Sequence, residues 1–446
     1  MNITKSILVA LNLTSFYMLN AQWSETGTGS SLPLDAGATI NVVHTTNTGL
    51  VLAGGNFRND SNNVYVAAWN GTTWQELGGD NVLQANNSIY TIGSDESGNV
   101  YIGGLFTEGS DYVVGRWNGS AWSILGNKPF NGYVRHLITD ASGVLYAAGA
   151  FKNDSNQYYV AKWDGASWSE LGIGINALNP NGELKCLATD NSGNVYVSGY
   201  FTNASGKYYV AKWNGSSWSE VGSLNANNYI NDIVLDSNGN LFAAGGFTAP
   251  NGIQDIALWN GTAWISPGNL NANNYIFDLA ADASGNIYAA GSFTNASSKP
   301  YVAIWNGNNW SEIGASNGLN ANDDILSVTI GSTGTIYAAG YFKNASNYNY
   351  VAEYTPQTSN LKEEPYTETG ISMFPNPAAD FVTVTRPEHT FALTVVDSYG
   401  RMVLEKIAEN DKTTTISASS LASGCYTLIA KDKDGQVIGM GKFFRQ

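Results

Sequence analysis

The chain has 446 residues with a formal charge of −15, 13% charged and 12% aromatic residues, and 49 glycines. That length exceeds what one ordinary core fills, and few charges beside many aromatics exclude a disordered chain; abundant glycine predicts many short strands joined by tight turns. The acidity excludes a phosphate backbone as partner, so no nucleic acid is expected, and it disfavours an anionic membrane surface.

The N-terminus reads as an export signal over residues 1–21. Lys5 supplies a positive charge, residues 7–19 are mostly apolar, and Ala21-Gln22 marks a cleavage point. The stretch is too short and too polar to span a bilayer, and no later segment is apolar enough to do so. The mature protein is expected to be soluble, outside the cytoplasm and without a membrane span.

Repetition dominates residues 22–354. A Gly-x-Phe sequence recurs seven times, ending at Phe57, Phe106, Phe151, Phe201, Phe247, Phe293 and Phe342. A Trp-Asn/Asp-Gly-x-x-Trp hairpin recurs six times, starting at Trp69, Trp117, Trp163, Trp213, Trp259 and Trp305, at spacings of 46 to 50 residues. One unit parses as a strand "YINDIVLD", a turn "SNGN", a small apolar strand "LFAAGGF", a loop, a third strand "DIALW", an "NGTA" turn and a fourth strand from Trp264. Four antiparallel strands per unit is the size of a propeller blade. The seventh unit stops at Tyr354 without its fourth strand, while the mature chain opens on "WSETG", a fourth strand lacking the other three. The fold class predicted is all-β: a seven-bladed β-propeller closed by N-terminal strand exchange. An open solenoid would need polar caps instead. The chain's 13 tryptophans are then six hairpin pairs plus Trp23, whose partner position holds Tyr354. They read as a seam across each hairpin and not as binding platforms.

Loops divide the ring into a short-turn face and a longer-loop face, the latter carrying "LNANN" and "TNASGK" segments. Asn, Ser, Thr and Tyr there suit hydroxyl-rich ligands, although the same residues serve ordinary turns. Near the start of the innermost strand the repetition lapses. One column reads Val42, Thr91, His136, Cys186, Asp232, Asp278 and Ser327; its neighbour reads Asn41, Tyr90, Arg135, Lys185, Asn231, Phe277 and Leu326. Arg135, His136, Lys185, Asp232 and Asp278 are the candidate ligand-binding residues. The competing reading makes them channel lining, each satisfied individually.

No catalytic constellation is legible. Asp232 and Asp278 sit in adjacent blades and could act as a carboxylate pair, and His136 as a base; there is no His cluster, nucleophile elbow or sialidase-type Asp box. Asp95, Asp140, Asp190, Asp236 and Asp282 head Asp-x-x-Gly turns that offer one carboxylate each, too few for Ca²⁺, and read as turn caps. The Asn-x-Ser triplets at Asn203 and Asn295 read as loop composition. No metal site and no cofactor are expected. Cys186 and Cys425 read as small core residues, since two cysteines in different domains make no scaffold.

Composition changes after Tyr354. Residues 355–370, "TPQTSNLKEEPYTETG", read as a polar linker. Alternating segments "FVTVT", "ALTVVD", "TTTIS" and "YTLIAKD" then predict a small antiparallel β-sandwich over 371–446. The acidity belongs to the propeller, with twelve basic against 25 acidic residues in 1–360 and nine against eleven in 361–446. "MFPNPAADFVTV" (373–384), "VVDSYGRMV" (395–403), "LASGCYTLI" (421–429) and "GKFFRQ" (441–446) resemble the C-terminal sorting domain of type IX secretion cargo. The matching positions are Pro375, Asn376, Pro377, Asp397, Gly400, Arg401, Gly424, Tyr426 and Lys442; Cys425 departs from the commoner Val or Ile. The resemblance implies export through the periplasm, recognition by the secretion machinery, and display on the outer surface or release.

The expectation is thus a secreted or cell-surface binding propeller with a sorting domain behind it. Its partners beyond the secretion machinery would be extracellular glycans or proteins. The alternative is a secreted glycan-active hydrolase or lyase using the channel-mouth carboxylates.

Overall fold

The computed structural model describes residues 22–445 except 28–33, 35, 80–82, 84, 127–129, 249–253, 269, 315–317, 357–370, 397–401, 409–411, 420, 422–423 and 434–436. The expected signal at 1–21 and most of the expected linker lie outside them. The chain divides into two compact units at residue 357.

The first unit holds seven four-stranded antiparallel sheets. Blade 1 runs Ile40–Thr45, Val51–Gly55, Ala67–Trp69 and Trp74–Glu76 from the innermost strand outward; blades 2 to 6 begin at Ile89, Val134, Leu184, Ile230 and Ile276. Blade 7 takes Ile325–Ile330, Ile336–Gly340 and Ala352–Tyr354, and its outer strand is Trp23–Glu25. Trp23 lies opposite Tyr354 and Glu25 opposite Ala352, and the Thr26 amide adds a bond to the Val351 carbonyl at 2.9 Å. The N-terminal strand therefore closes the ring.

Every second strand is covered on both faces, which explains its small or apolar residues such as "VLAGG" and "LYAAG". Its last glycine has a sharper cause. A Cβ on Gly149 would lie 2.1 Å from the Tyr133 carbonyl oxygen, and all seven equivalents face the same backbone approach at 2.1–2.3 Å. The approach comes from a β-bulge repeated in every innermost strand, such as between Val134 and His136. Two residues on, each Gly-x-Phe phenylalanine is buried, and five of them meet a tyrosine edge-on at 4.8–4.9 Å.

The tryptophans form a seam, and one that reaches between blades. Five Trp pairs, and Trp23 with Tyr354, face each other across the hairpin with centroids 5.4–5.8 Å apart. The second ring of each also donates its Nε1–H into the preceding blade, as Trp264 does to the Val221 carbonyl at 2.7 Å and Trp218 to Leu171 at 2.9 Å. Blade 6 departs from this. Trp305 packs on Phe242 at 5.3 Å, and buried Trp310 Nε1 has no acceptor among the described residues. The cause is Pro267 in the preceding blade. The equivalent residues, such as Leu77 and Val221, extend the outer strand by donating an amide to Val66 and Val210. Proline has no amide to give, so that strand ends at Ile265 and its carbonyl is not delivered.

Loop polar groups are largely spent on the loops themselves. Asn203 accepts the Ser205 and Lys207 amides and donates to Glu220; Asn295 does likewise with Ser297, Lys299 and Glu312. Asn227 clamps Thr248 in two bonds, and Asn273 clamps Thr294. The turn aspartates are equally committed: Asp95 accepts two backbone amides, the Asn99 side chain and the Tyr101 hydroxyl.

The second unit packs a sheet of Ser372–Phe374, Phe381–Thr385 and Thr413–Ser417 against one of Met402–Ile407, Ala392–Val396, Gly424–Lys431 and Val437–Arg445. Val382, Val384 and Ile416 from one sheet and Leu393, Val395, Leu428 and Phe443 from the other share one core, the β-sandwich expected.

Candidate functional site

The bulge determines what faces the channel. An extra residue in one strand breaks the alternation locally, so two consecutive side chains per blade turn toward the lumen. Both variable columns arise there, and Arg135, His136, Lys185, Asp232 and Asp278 line one cavity of about 500 Å³. They fall into two tiers with different roles.

The inner tier ties blades together. An innermost strand is a sheet edge whose outward amides need acceptors. Thr91 Oγ1 accepts the Leu137 amide at 3.1 Å, His136 Nδ1 that of Leu187 at 3.2 Å, and Asp232 Oδ2 that of Leu279 at 2.6 Å. Asp278 Oδ2 accepts Val328 at 2.7 Å and Ser327 Oγ accepts Val43 at 3.2 Å. The Cys186 thiol instead donates toward the Ile233 carbonyl at 3.6 Å. In each case the partner lies in the next blade.

This geometry accounts for the protonation states. His136 accepts at Nδ1 and is therefore neutral with its proton on Nε2; burial, then Arg135, then His44 hold its pKa down at about 4. His44, one step deeper, meets Ser94 Oγ at 2.9 Å and burial likewise lowers it to about 4. Cys186, Asp232, Asp278 and Ser327 contact one another in series. Burial raises both carboxyl pKa values, and the charge of Asp232 pushes Asp278 further, well above the ordinary range. Each of the two carboxyls has its Oδ2 committed to a backbone amide of the next blade.

The outer tier is the mouth. Arg135 lies over the Tyr90 ring at 4.9 Å and Lys185 over the Tyr200 ring at 5.2 Å. Neither cation has a hydrogen bond or ion pair with a described residue. Burial, then the Arg135 charge, lowers the Lys185 pKa to about 8. Glu183 is engaged by the Tyr133 hydroxyl at 2.7 Å. Around them runs an aromatic arc that sequence reasoning did not assemble. Tyr200 meets Tyr229 edge-on at 4.9 Å, and Tyr229 stacks on Tyr275 at 5.7 Å. Tyr90 meets Tyr133 at 5.9 Å. Tyr200 and Tyr275 are each 38% exposed. Gly246 makes room for this arc, since a Cβ there would lie 2.5 Å from Tyr275.

Of the expected sorting residues, Asp397, Gly400 and Arg401 lie outside the described residues. Asn376, between Pro375 and Pro377, donates to the Lys442 carbonyl at 3.1 Å and accepts the Phe444 amide at 2.9 Å, which ties the motif to the terminal strand. Gly424 opens the strand that pairs with it, and buried Tyr426 stacks on Phe443 at 5.6 Å.

Fold and motif together define a seven-bladed β-propeller followed by a β-sandwich that carries an export signal of its own. Residues 372–440 match the family described as the secretion system C-terminal sorting domain, so the chain is type IX cargo, exported to the cell surface or the extracellular space. No helix among the described residues is long and apolar enough to cross a membrane. The chain is similar in fold to PorZ, an essential bacterial surface component of the type-IX secretion system of Porphyromonas gingivalis (15% identity, TM-score 0.54, 94% of this chain and 60% of that one). It is also similar to the extracellular domain of the putative hybrid two-component system BT3049 of B. thetaiotaomicron (13%, 0.51, 96% and 57%). A third similar structure is a fungal alcohol oxidase of the AA5 family (13%, 0.50, 95% and 98%). The chain spans about 60% of the length of the first two, and at these identities the likeness shows the fold alone. No curated protein matches the chain in sequence.

Proposed function

We infer that the propeller is an extracellular saccharide-binding module with its site at the channel mouth over blades 4 to 6. The observation that carries this reading is the arc Tyr200–Tyr229–Tyr275, three adjoining rings of which Tyr200 and Tyr229 line the cavity and Tyr200 and Tyr275 are exposed. Tyrosine offers a rigid apolar face and a polar rim at low entropic loss, which suits a sugar ring with its hydroxyls. A role in scaffolding supports these rings less well, because five other blades place Asn56, Leu105, Ala150, Gly246 and Ser292 where Tyr200 stands, and blade 7 alone repeats a tyrosine, Tyr341, itself on the cavity wall. Residues 1–21 act in this reading as a cleaved leader and 355–370 as the linker to the sorting domain.

The hydrolase or lyase alternative draws on Asp232 and Asp278. Glycoside cleavage by two carboxyls needs them on either side of the scissile bond, roughly 5–9.5 Å apart. Two acids that each accept an amide of the next blade suit an inter-blade tie better. The test is a glycan array probed with the purified chain and with Tyr229→Ala. Selective binding that weakens roughly tenfold or more in the variant supports the module; an array on which the chain binds no saccharide removes it.

A further inference from the structure

We propose that the channel mouth selects an anionic saccharide, whose carboxylate or sulfate sits between Arg135 and Lys185 while its sugar rings lie along the tyrosine arc. This rests on the saccharide-binding reading and adds the charge class to it.

Three observations lead there. The first is that neither cation hydrogen-bonds a described residue of the scaffold. Their column elsewhere holds Asn41, Tyr90, Asn231, Phe277 and Leu326, so the blade does not require a charge. Two of those residues do serve the scaffold: Asn41 and Asn231 donate to the Ile89 and Ile276 carbonyls of the next blade at 2.9 and 2.8 Å. Arg135 and Lys185 make no such bond. The second is their setting. In a unit with twelve basic and 25 acidic residues over 1–360, they stand in adjacent blades without a counter-ion within 4 Å among the described residues. Two like charges held together at a partly desolvated mouth oppose each other, and an anion placed between them relieves that repulsion. Burial first, and the Arg135 charge second, lower the Lys185 pKa, while Glu183 and Asp232 act the other way from beyond ion-pair distance. The third is preorganisation. Tyr90 and Tyr200 support the two cations, both of which line the cavity, and a guanidinium fork matches a carboxylate or sulfate in two bonds. Tyr200 belongs to both features: it carries Lys185 and begins the arc, so charge recognition and ring stacking adjoin.

The experiment is calorimetric titration of the full chain with oligogalacturonate, chondroitin sulfate oligomers, a neutral galactan oligomer and sodium sulfate. The acidic oligomers are expected to bind at least tenfold more tightly than the neutral one, with the preference weakening as ionic strength rises. The uronate and sulfate arms report which acidic group is taken. The double variant R135Q/K185Q is expected to fold with a single cooperative melt and to lose the preference, whereas Tyr229→Ala weakens acidic and neutral oligomers alike. Equal affinity for acidic and neutral oligomers, or a preference that survives the double variant, overturns the charge assignment and leaves the saccharide site standing. If the double variant fails to fold, the salt dependence of the parent chain decides. Binding of sodium sulfate as tight as that of any oligomer, or silence toward every saccharide, overturns both.

Discussion

The propeller carries two populations of aromatic side chains that behave in opposite ways. The tryptophans recur in every blade and, blade 6 apart, pair across a hairpin and reach into the preceding blade through Nε1. The mouth tyrosines occur in some blades only, come from different strand positions, and pack on one another with Tyr200 and Tyr275 exposed. Both are large and amphipathic, so residue type alone does not separate them. Recurrence does: a group demanded by the scaffold is demanded at every joint, whereas a ligand asks only for the blades it touches.

That contrast can be broken or sharpened by experiment. The largest effect is expected from deleting residues 22–27, which removes Trp23 and the closing strand. Blade 7 is left with an open edge, and the single cooperative melt should be lost; an unchanged calorimetric transition would refute closure. Next, Trp264→Ala removes a buried ring, its partner contact with Trp259 and the bond to Val221. It should cost about 3–5 kcal/mol in denaturant unfolding while glycan affinity stays unchanged. Asp278→Asn tests the carboxyl pair. The folded pKa of Asp278 lies above its unfolded value, so the stability tied to its proton is present at acid pH and lost as pH rises through the folded pKa. The asparagine variant should therefore melt higher than the parent on the alkaline side and lose that advantage on acidification. His136 slopes the other way. Its folded pKa of about 4 lies below the ordinary 6.5, so its contribution is lost as pH falls from 6.5 toward 4. Pro267→Leu, which restores an amide, should stabilise by about 0.5–1.5 kcal/mol. Tyr229→Ala removes ring contacts to Tyr200 and Tyr275 and should cost about 0.5–1.5 kcal/mol, far less than Trp264→Ala, although it weakens binding.

The repeat made the architecture readable, because Gly-x-Phe and the Trp hairpin each answer a local requirement that returns in every blade. The N-terminal "WSETG" could be placed in blade 7 for the same reason. The site was legible only in part. The five candidates do share one cavity, but His136, Asp232 and Asp278 act on amides of the neighbouring blade, a partner some 47 to 51 residues away that no local pattern exposes. The tyrosine arc escaped because Tyr200 follows the second strand while Tyr229 and Tyr275 precede the first, so no single column of the repeat contains it. The Asn-rich loops, read as a hydroxyl-binding face, turned out to spend their amides on one another. Pro267 was visible all along, yet its meaning depended on knowing that the residue at that position donates an amide.

The bulge in each innermost strand has a consequence for how such a ring can change over time. It creates a position that asks for little more than an acceptor facing the next amide, and threonine, histidine, aspartate and serine all meet that request here. The channel wall can therefore be given acid, base or neutral character one blade at a time, with the outer strands and their tryptophans untouched. A protein built this way can alter the chemistry at its axis while its frame stays the same.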